Sequence, residues 1–280
     1  MTRPRGQGAD AVVLGVLTAN PEGDRRLLGP QTISFRGLAR EGSRAGVQVV
    51  VFKPEGLGDP HEGMRGYVYD RRRRRWVRAA VPWPDIVYNR VAYRSLERRG
   101  DVQRVLRRLQ RSGVPVFNPG FLDKWNTYRI LSADDVTRRH LPRFRRVREV
   151  DDVLRALNEW RAVFLKPVGG SLGKGIVYVR KYGDGYIYHA CIDDAYRKGR
   201  RRDWLGLRRV LLGMLNGREY LVQAAVHRQL LSGSPFDVRV LVQKDTRREW
   251  RVSGMVARVA ARGRVLTHVP RGGSRCGVVR

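Results

Sequence analysis

Apolar and polar positions along this chain switch between a period of two and a period near 3.6. Residues 11–17, Ala-Val-Val-Leu-Gly-Val-Leu, form an unbroken apolar run, the pattern of a buried strand. From Phe35 to Gly46 the spacing becomes helical, with Phe35, Leu38 and Ala39 on one face and a glycine at the end. Residues 47–52 are a second apolar run. Strand, helix, strand in this order predicts a small parallel α/β unit. Residues 66–70 and 76–78 predict a hairpin whose turn is the arginine run 71–75. Like charges in a row repel unless solvated, so the run reads as an exposed turn and not as a binding motif. Residues 83–90 predict a strand. Residues 95–112 predict a basic amphipathic helix with Leu96, Val102, Val105, Leu106 and Leu109 on its apolar side. A short edge strand over 114–119 follows, and a domain boundary is expected near Gly120. That divides the chain into an N-terminal α/β domain, 1–119, and a second domain, 120–280.

In the second half, residues 121–131 carry Lys124, Trp125 and Tyr128 ahead of a break near Ser132. Residues 151–160 predict a helix. Two strand-like runs then flank Gly169-Gly170-Ser171-Leu172-Gly173-Lys174-Gly175, which holds four glycines in seven residues. Residues 182–190 continue the sheet, and 194–216 read as a basic helical stretch. Residues 219–226, 235–243 and 250–260 predict strands, the last two paired. Asp237 and Arg239 stand two apart on one strand, so both point to one face.

Composition adds limits. With 280 residues and 42% hydrophobic content the chain can bury a sizeable core. No run of about 18 apolar residues suggests a membrane helix. The polar start, residues 1–10, lacks the apolar centre of a signal peptide, so cytoplasmic synthesis is expected. Cys191 and Cys276 have no metal spacing and are expected to be reduced thiols. The formal charge is +31. Of 57 basic residues only seven are lysines, leaving 50 arginines, a skew that GC-rich codons produce. The arginines spread over the whole chain, which favours genomic drift with solvated faces over a dedicated polyanion-binding surface, and either reading leaves non-specific binding of nucleic acid expected at low salt.

The glycine stretch carries the sharpest chemistry. Without Cβ atoms, its backbone N–H groups can approach an anion closely, and Lys166 and Lys174 bracket it with positive charge. It is no P-loop, because Val168 stands where the first glycine should be and Gly175 where the hydroxyl should be. Nor does a helix follow, as the dinucleotide fingerprint requires. What remains is a hairpin flap over a phosphate chain. Lys124 supplies a further cation, the backbone of 219–226 could pair with an adenine edge, and Arg239 could clamp a phosphoryl group.

In order, Lys124, Leu165-Lys166-Pro167, Gly170-Ser171-Leu172-Gly173-Lys174-Gly175, Tyr220-Leu221-Val222-Gln223 and Phe236-Asp237-Val238-Arg239 resemble the ATP-grasp fold. Within it the chain resembles the YheC/YheD family of endospore-coat-associated proteins, on Pro84-Asp85-Ile86-Val87-Tyr88-Asn89-Arg90, His140-Leu141-Pro142, Val242-Gln243-Lys244 and Trp250. The resemblance spans about residues 11–274. It implies an α/β (α+β) ATP-grasp fold behind an N-terminal pre-ATP-grasp domain, with ATP and Mg2+ as cofactors. It implies Lys124 and Lys166 on the ATP phosphates, and Gly169 to Gly175 as the flap. Gln223, Ala224 and Ala225 would form the adenine hinge, the alanines through their backbone. Arg239, with Asp237 beside it, would reach the terminal phosphate or an acyl-phosphate. The activity implied is activation of a carboxylate as acyl-phosphate for ligation to an amine, in the mother-cell cytoplasm or at the spore coat.

One departure accompanies the resemblance. ATP-grasp enzymes hold magnesium with an acid and a Glu-x-Asn segment beyond the Arg-Gly-Gly stretch, here Arg271-Gly272-Gly273. From Arg239 to Arg280 the only acids are Asp245 and Glu249, in the turn before Trp250. The expectation is a C-terminally incomplete domain without magnesium ligands, which binds nucleotide but does not turn over. Two other readings stand beside it. One is a non-catalytic coat protein that keeps the fold as architecture. The other is a basic nucleic-acid-binding protein, which the absence of zinc, helix-turn-helix and RNA-binding signatures disfavours.

Overall fold

The computed structural model describes residues 11–170, 173–192, 195–269 and 272–278. The chain divides into two units, Met1–Phe121 and Leu122–Arg280.

The first unit runs β1 (Val12–Leu17), α1 (Thr32–Arg44), β2 (Val47–Phe52), β3 (Met64–Asp70), β4 (Arg75–Val81), β5 (Ile86–Asn89), α2 (Arg94–Glu97), α3 (Gly100–Arg111) and β6 (Val116–Phe117). These strands make one sheet in the order β4-β3-β2-β1-β5-β6. β1, β2, β5 and β6 are parallel, and β3 and β4 form an antiparallel hairpin. Val13, Leu17, Val50 and Phe52 pack on one face with Val102, Val105 and Leu109 of α3. Val16, Val49 and Val51 pack on the other with Phe35 of α1. Helices on both faces are the reason β1 and β2 are apolar at successive positions. The helix expected over 95–112 is broken, with Arg99 extended at φ −60°, ψ 142° between α2 and α3. Buried Glu97 sits at the break, where it accepts from Asn89 Nδ2 at 2.7 Å and from the Phe121 N–H at 3.0 Å.

The second unit runs α4 (Lys124–Ala133), α5 (Asp135–Arg138), β7 (Phe144–Val147), α6 (Asp151–Trp160), β8 (Ala162–Pro167), β9 (Val177–Tyr182), β10 (Gly185–Ile192), β11 (Ala195–Arg201), α7 (Trp204–Leu215) and β12 (Tyr220–Ala224). Its antiparallel sheet has the order β11-β10-β9-β8-β12-β7. Val163, Leu165, Tyr220 and Val222 face Val153, Ala156 and Leu157 of α6 and Leu207 and Leu211 of α7. Truncating one such side chain to alanine costs about 2–5 kcal/mol. The intervening residues Phe164, Lys166 and Gln223 therefore face the opposite way.

Two sequence expectations are corrected here. Residues 195–201 are a strand and not the start of a helix. Gly199 lies under Tyr188 there, and Arg197, Lys198, Arg200 and Arg201 charge a sheet edge, which discourages further pairing. α7 begins only after Asp203, whose side chain caps it by accepting from the Gly206 N–H. Within the expected 219–226 strand, residues 220–224 are also not open to a ligand along their backbone. β7, which the sequence pattern did not reveal, covers one side of β12, and β8 covers the other.

A third sheet orders β13 (Leu230–Leu231), β14 (Ser234–Lys244), β15 (Trp250–Val259) and β16 (Ser274–Cys276). Its long ribbon leaves Val240, Leu241, Val242 and Trp250 exposed. Among the described residues no helix is long and apolar enough to cross a membrane.

Candidate functional site

The face of the second sheet turned away from α6 and α7 walls a cavity of about 460 Å³. Lys166 is at its centre. In the β8–β12 register Phe164 lies opposite Gln223 and Lys166 opposite Leu221, so Lys166 and Gln223 are diagonal neighbours on one face. Lys166 Nζ donates to Gln223 Oε1 at 2.5 Å, and the Tyr128 hydroxyl of α4 donates to the same oxygen at 2.7 Å. Lys124 Nζ donates to the carbonyls of Pro167 at 2.8 Å and Gly170 at 2.5 Å, which ties α4 to the root of the flap.

The ring of Phe164 attracts two cations. Lys166 Nζ is 5.8 Å from its centroid and the Arg228 guanidinium 5.5 Å. Arg228 also donates to the Val265 carbonyl at 2.8 Å. Neither Lys166 nor Arg228 forms an ion pair among the described residues. Burial, and after it the nearby charge of Arg228, pulls the pKa of Lys166 down to about 8. Burial lowers Arg228 as well. Two desolvated cations side by side make a cavity short of negative charge.

Asp237, Arg258, Thr267 and His268 line another part of the wall. Asp237 does not pair with Arg239 along its own strand. It accepts from Arg258 at 2.7 Å, its cross-strand neighbour, and from the Thr267 hydroxyl. Burial opposes the charge of Asp237, but these two bonds outweigh it and hold the carboxyl below its ordinary range. His268 lies against the flap, where a Cβ added to Gly173 would come within 2.9 Å of its Cγ. Its Nδ1 is buried without a hydrogen-bond partner among the described residues. Burial, then the charge of Arg258, holds this imidazole below its ordinary pKa.

The sequence profile of the family described as YheC/D like ATP-grasp matches residues 113–280. The chain belongs to this ATP-grasp family. It is 25% identical over 246 residues to the endospore coat-associated protein YheD of Bacillus subtilis (strain 168), covering 87% of this chain and 54% of YheD. It is 22% identical over 228 residues to the endospore coat-associated protein YheC of the same organism, covering 79% of this chain and 61% of YheC. The chain thus spans little more than half the length of either relative. Among solved structures, the D-cycloserine synthetase DcsG is similar at a TM-score of 0.49 and 16% identity, covering 88% of this chain and 67% of DcsG. D-alanyl-alanine synthetase A of Vibrio cholerae O1 biovar eltor str. N16961 is similar at 0.48 and 12%, covering 91% and 69%.

Of the ATP-grasp site residues expected from sequence, Lys124, Lys166, Gly170, Gly173, Lys174, Gln223 and Asp237 line the cavity. Ser171 lies outside the described residues. Gly169 is exposed at the flap root. Gly175 is buried, its N–H bonded to the Cys191 carbonyl at 2.7 Å and its carbonyl accepting from Tyr220 Oη at 3.0 Å, so it anchors the flap. The N–H groups of Ala224 and Ala225 bond the carbonyls of Arg143 and Ala162. The cavity-lining residue beyond them is Val226. Arg239 is exposed on β14 outside the lining, near enough for its charge to act on His268.

Sequence reasoning missed Arg228, Arg258, Thr267 and His268. The first follows the hinge strand directly, and the last two precede Arg271-Gly272-Gly273, so proximity to expected motifs was the available signal. ATP-grasp proteins use magnesium with ATP. In the described part of this cavity the one carboxylate, Asp237, is engaged by Arg258 and Thr267 and surrounded by cations. That donor set does not fit a magnesium ion, which prefers several free oxygen ligands.

Proposed function

We propose that the second unit binds ATP, with its phosphate chain between Lys166, Arg228 and the glycine flap, and its adenine beyond Gln223 against Val226. The observation that carries this reading is the pair of desolvated cations, Lys166 and Arg228, held without ion-pair partners among the described residues. An anion between them offsets the charge that burial leaves uncompensated. Lys124 holds the flap root in place, and Tyr128 and Gln223 orient the Lys166 ammonium. In the whole protein, the bound nucleotide activates a carboxylate as acyl-phosphate, and an amine then displaces phosphate. Positioned cations stabilise the charge that develops on the transferring group. Association with the endospore coat, which names both Bacillus relatives, belongs to the same proposal.

Thermal unfolding tests the nucleotide site. ATP at about a hundred times its Kd should stabilise the fold by about 2.7 kcal/mol and raise the Tm by roughly 5 °C or more. Lys166→Ala should abolish the shift. An unchanged Tm at every ATP concentration overturns the reading.

A further inference from the structure

We propose that a groove in the first unit, between α1 and the β3–β4 hairpin, binds the phosphodiester backbone of a single-stranded nucleic acid. The groove encloses about 460 Å³ and is lined by Arg36 and Arg40 of α1, Arg71 and Arg74 of the hairpin turn, Tyr69 and Ile33. Arg36 and Arg40 are one helical turn apart, so both project from the same face of α1. Arg71 and Arg74 face them from the turn.

This charge is largely unneutralised. Arg40 pairs with Glu41 at 3.0 Å, and Arg44 shares the same carboxylate at 2.9 Å. Asp70 accepts from the Arg73 N–H at 2.9 Å, with the Arg73 side chain at 3.9 Å. Arg36, Arg71 and Arg74 form no ion pair among the described residues. Along α1 and the turn, the eight arginines at 36, 40, 44 and 71–75 face two acids, Glu41 and Asp70. Arg74 also stands at φ 53°, a left-handed position where glycine or asparagine is the easier residue.

The rest of the groove points to a linear ligand with bases. A second depression of about 470 Å³ shares Tyr69 and Arg71 with the first and continues toward Ser43 and Gly46. Tyr69 has the Arg36 guanidinium 5.6 Å from its ring centroid and the ring of Trp76 edge-on at 5.2 Å. A positive slot with an aromatic wall is the arrangement that follows one nucleic-acid strand. Guanidinium forks match phosphate oxygens in pairs. An acidic peptide would use the charge but leave the aromatic wall idle.

The test is fluorescence anisotropy of the full chain with labelled single-stranded DNA and RNA 12-mers across a salt series. The quadruple variant R36Q/R40Q/R71Q/R74Q should weaken binding about tenfold or more at 0.1 M salt and reduce the salt slope by about 3. A control with equal charge loss on α3 and the residue before its break, R98Q/R104Q/R107Q/R111Q, should change affinity less than about twofold. Binding of DNA and RNA in either order of affinity supports the backbone reading. Equal weakening by both quadruple variants overturns it, as the charge would then act diffusely. Tighter binding of a duplex, or equal competition by a poly-glutamate peptide, also overturns it. Circular dichroism checks folding. If the quadruple groove variant is unfolded, Arg36→Gln and Arg71→Gln alone should each lower the slope by about 0.7, and no change in either overturns the proposal.

Discussion

Lys166 is the residue on which the candidate site turns. Its ordinary pKa is 10.5 and its folded value about 8. Between these values the unfolded lysine holds a proton that the folded one releases, so this group makes stability fall as pH drops from about 10.5 to about 8. Below that window the penalty is constant, and an anion beside Lys166 relieves it. ATP binding should therefore raise the pKa and take up a fraction of a proton near pH 8.5. Calorimetric titration with ATP in two buffers of different ionisation heat measures this as a buffer-dependent enthalpy. Lys166→Met should remove the dependence. Equal enthalpies in both buffers for the unmutated chain would show that the phosphates do not reach this lysine. The lysine itself was legible in the sequence, since an apolar alternating strand ends in it ahead of a glycine loop. Its partner Arg228 was not, because nothing in local spacing places residue 228 beside the ring of Phe164.

At the scale of the element, the β8–flap–β9 hairpin and the β9–β10 turn that follows it hold glycines in two different situations. Gly175 and Gly183 both have positive φ, 73° and 54°. A Cβ on Gly175 would meet Pro167 Cγ at 2.7 Å and Tyr220 Oη at 3.0 Å, while one on Gly183 meets nothing within 4 Å. Gly183→Ala should cost about 1 kcal/mol, the left-handed strain alone. Gly175→Ala should cost roughly 2–4 kcal/mol and also weaken the ATP-induced shift, because the flap root must move. Denaturant melts of the two variants compare them, and equal midpoints would contradict this account of the flap root. The hairpin was readable from alternation. The Asp237–Arg258 pair was not, for a definite reason. The register that joins Lys244 to Trp250, carried straight, would set Ala257 opposite Asp237. A bulge between Leu241 and Val242 moves Arg258 there instead.

Over the whole molecule, positive charge and paired carboxylates set the response to pH. Hydrogen bonds from Arg26 to Asp24, from Arg44 to Glu41 and from the Arg73 backbone to Asp70 hold these carboxyls below their ordinary values. Their stabilisation is present above about pH 4.5 and is lost as pH falls through their lowered folded values. His189 and His268 are lowered by burial from an ordinary 6.5. Below that pH the unfolded imidazoles take up protons first, so stability already begins to fall there. Protonating carboxylates also adds to a formal charge of +31 and its self-repulsion. The Tm should therefore decline gently below about pH 6.5 and steeply below about pH 4. His268→Asn should flatten the upper part of the curve, and an unaltered upper part would show that His268 is not held neutral.

The sequence alone determined what depends on neighbours along the chain. It specified strands by alternation, helices by their apolar stripe, the flap by its glycines and the family by the order of its motifs. Only the tertiary structure decided which residues meet across elements. It closed both sides of β12, turned residues 195–201 into a charged sheet edge and exchanged Arg239 for Arg258 beside Asp237. It gathered Arg228, Thr267 and His268 around Lys166, and it made a groove from an arginine turn that looked merely solvated. The physical reason is that periodicity fixes which face a side chain occupies, while register, bulges and covering strands fix what stands on the other side.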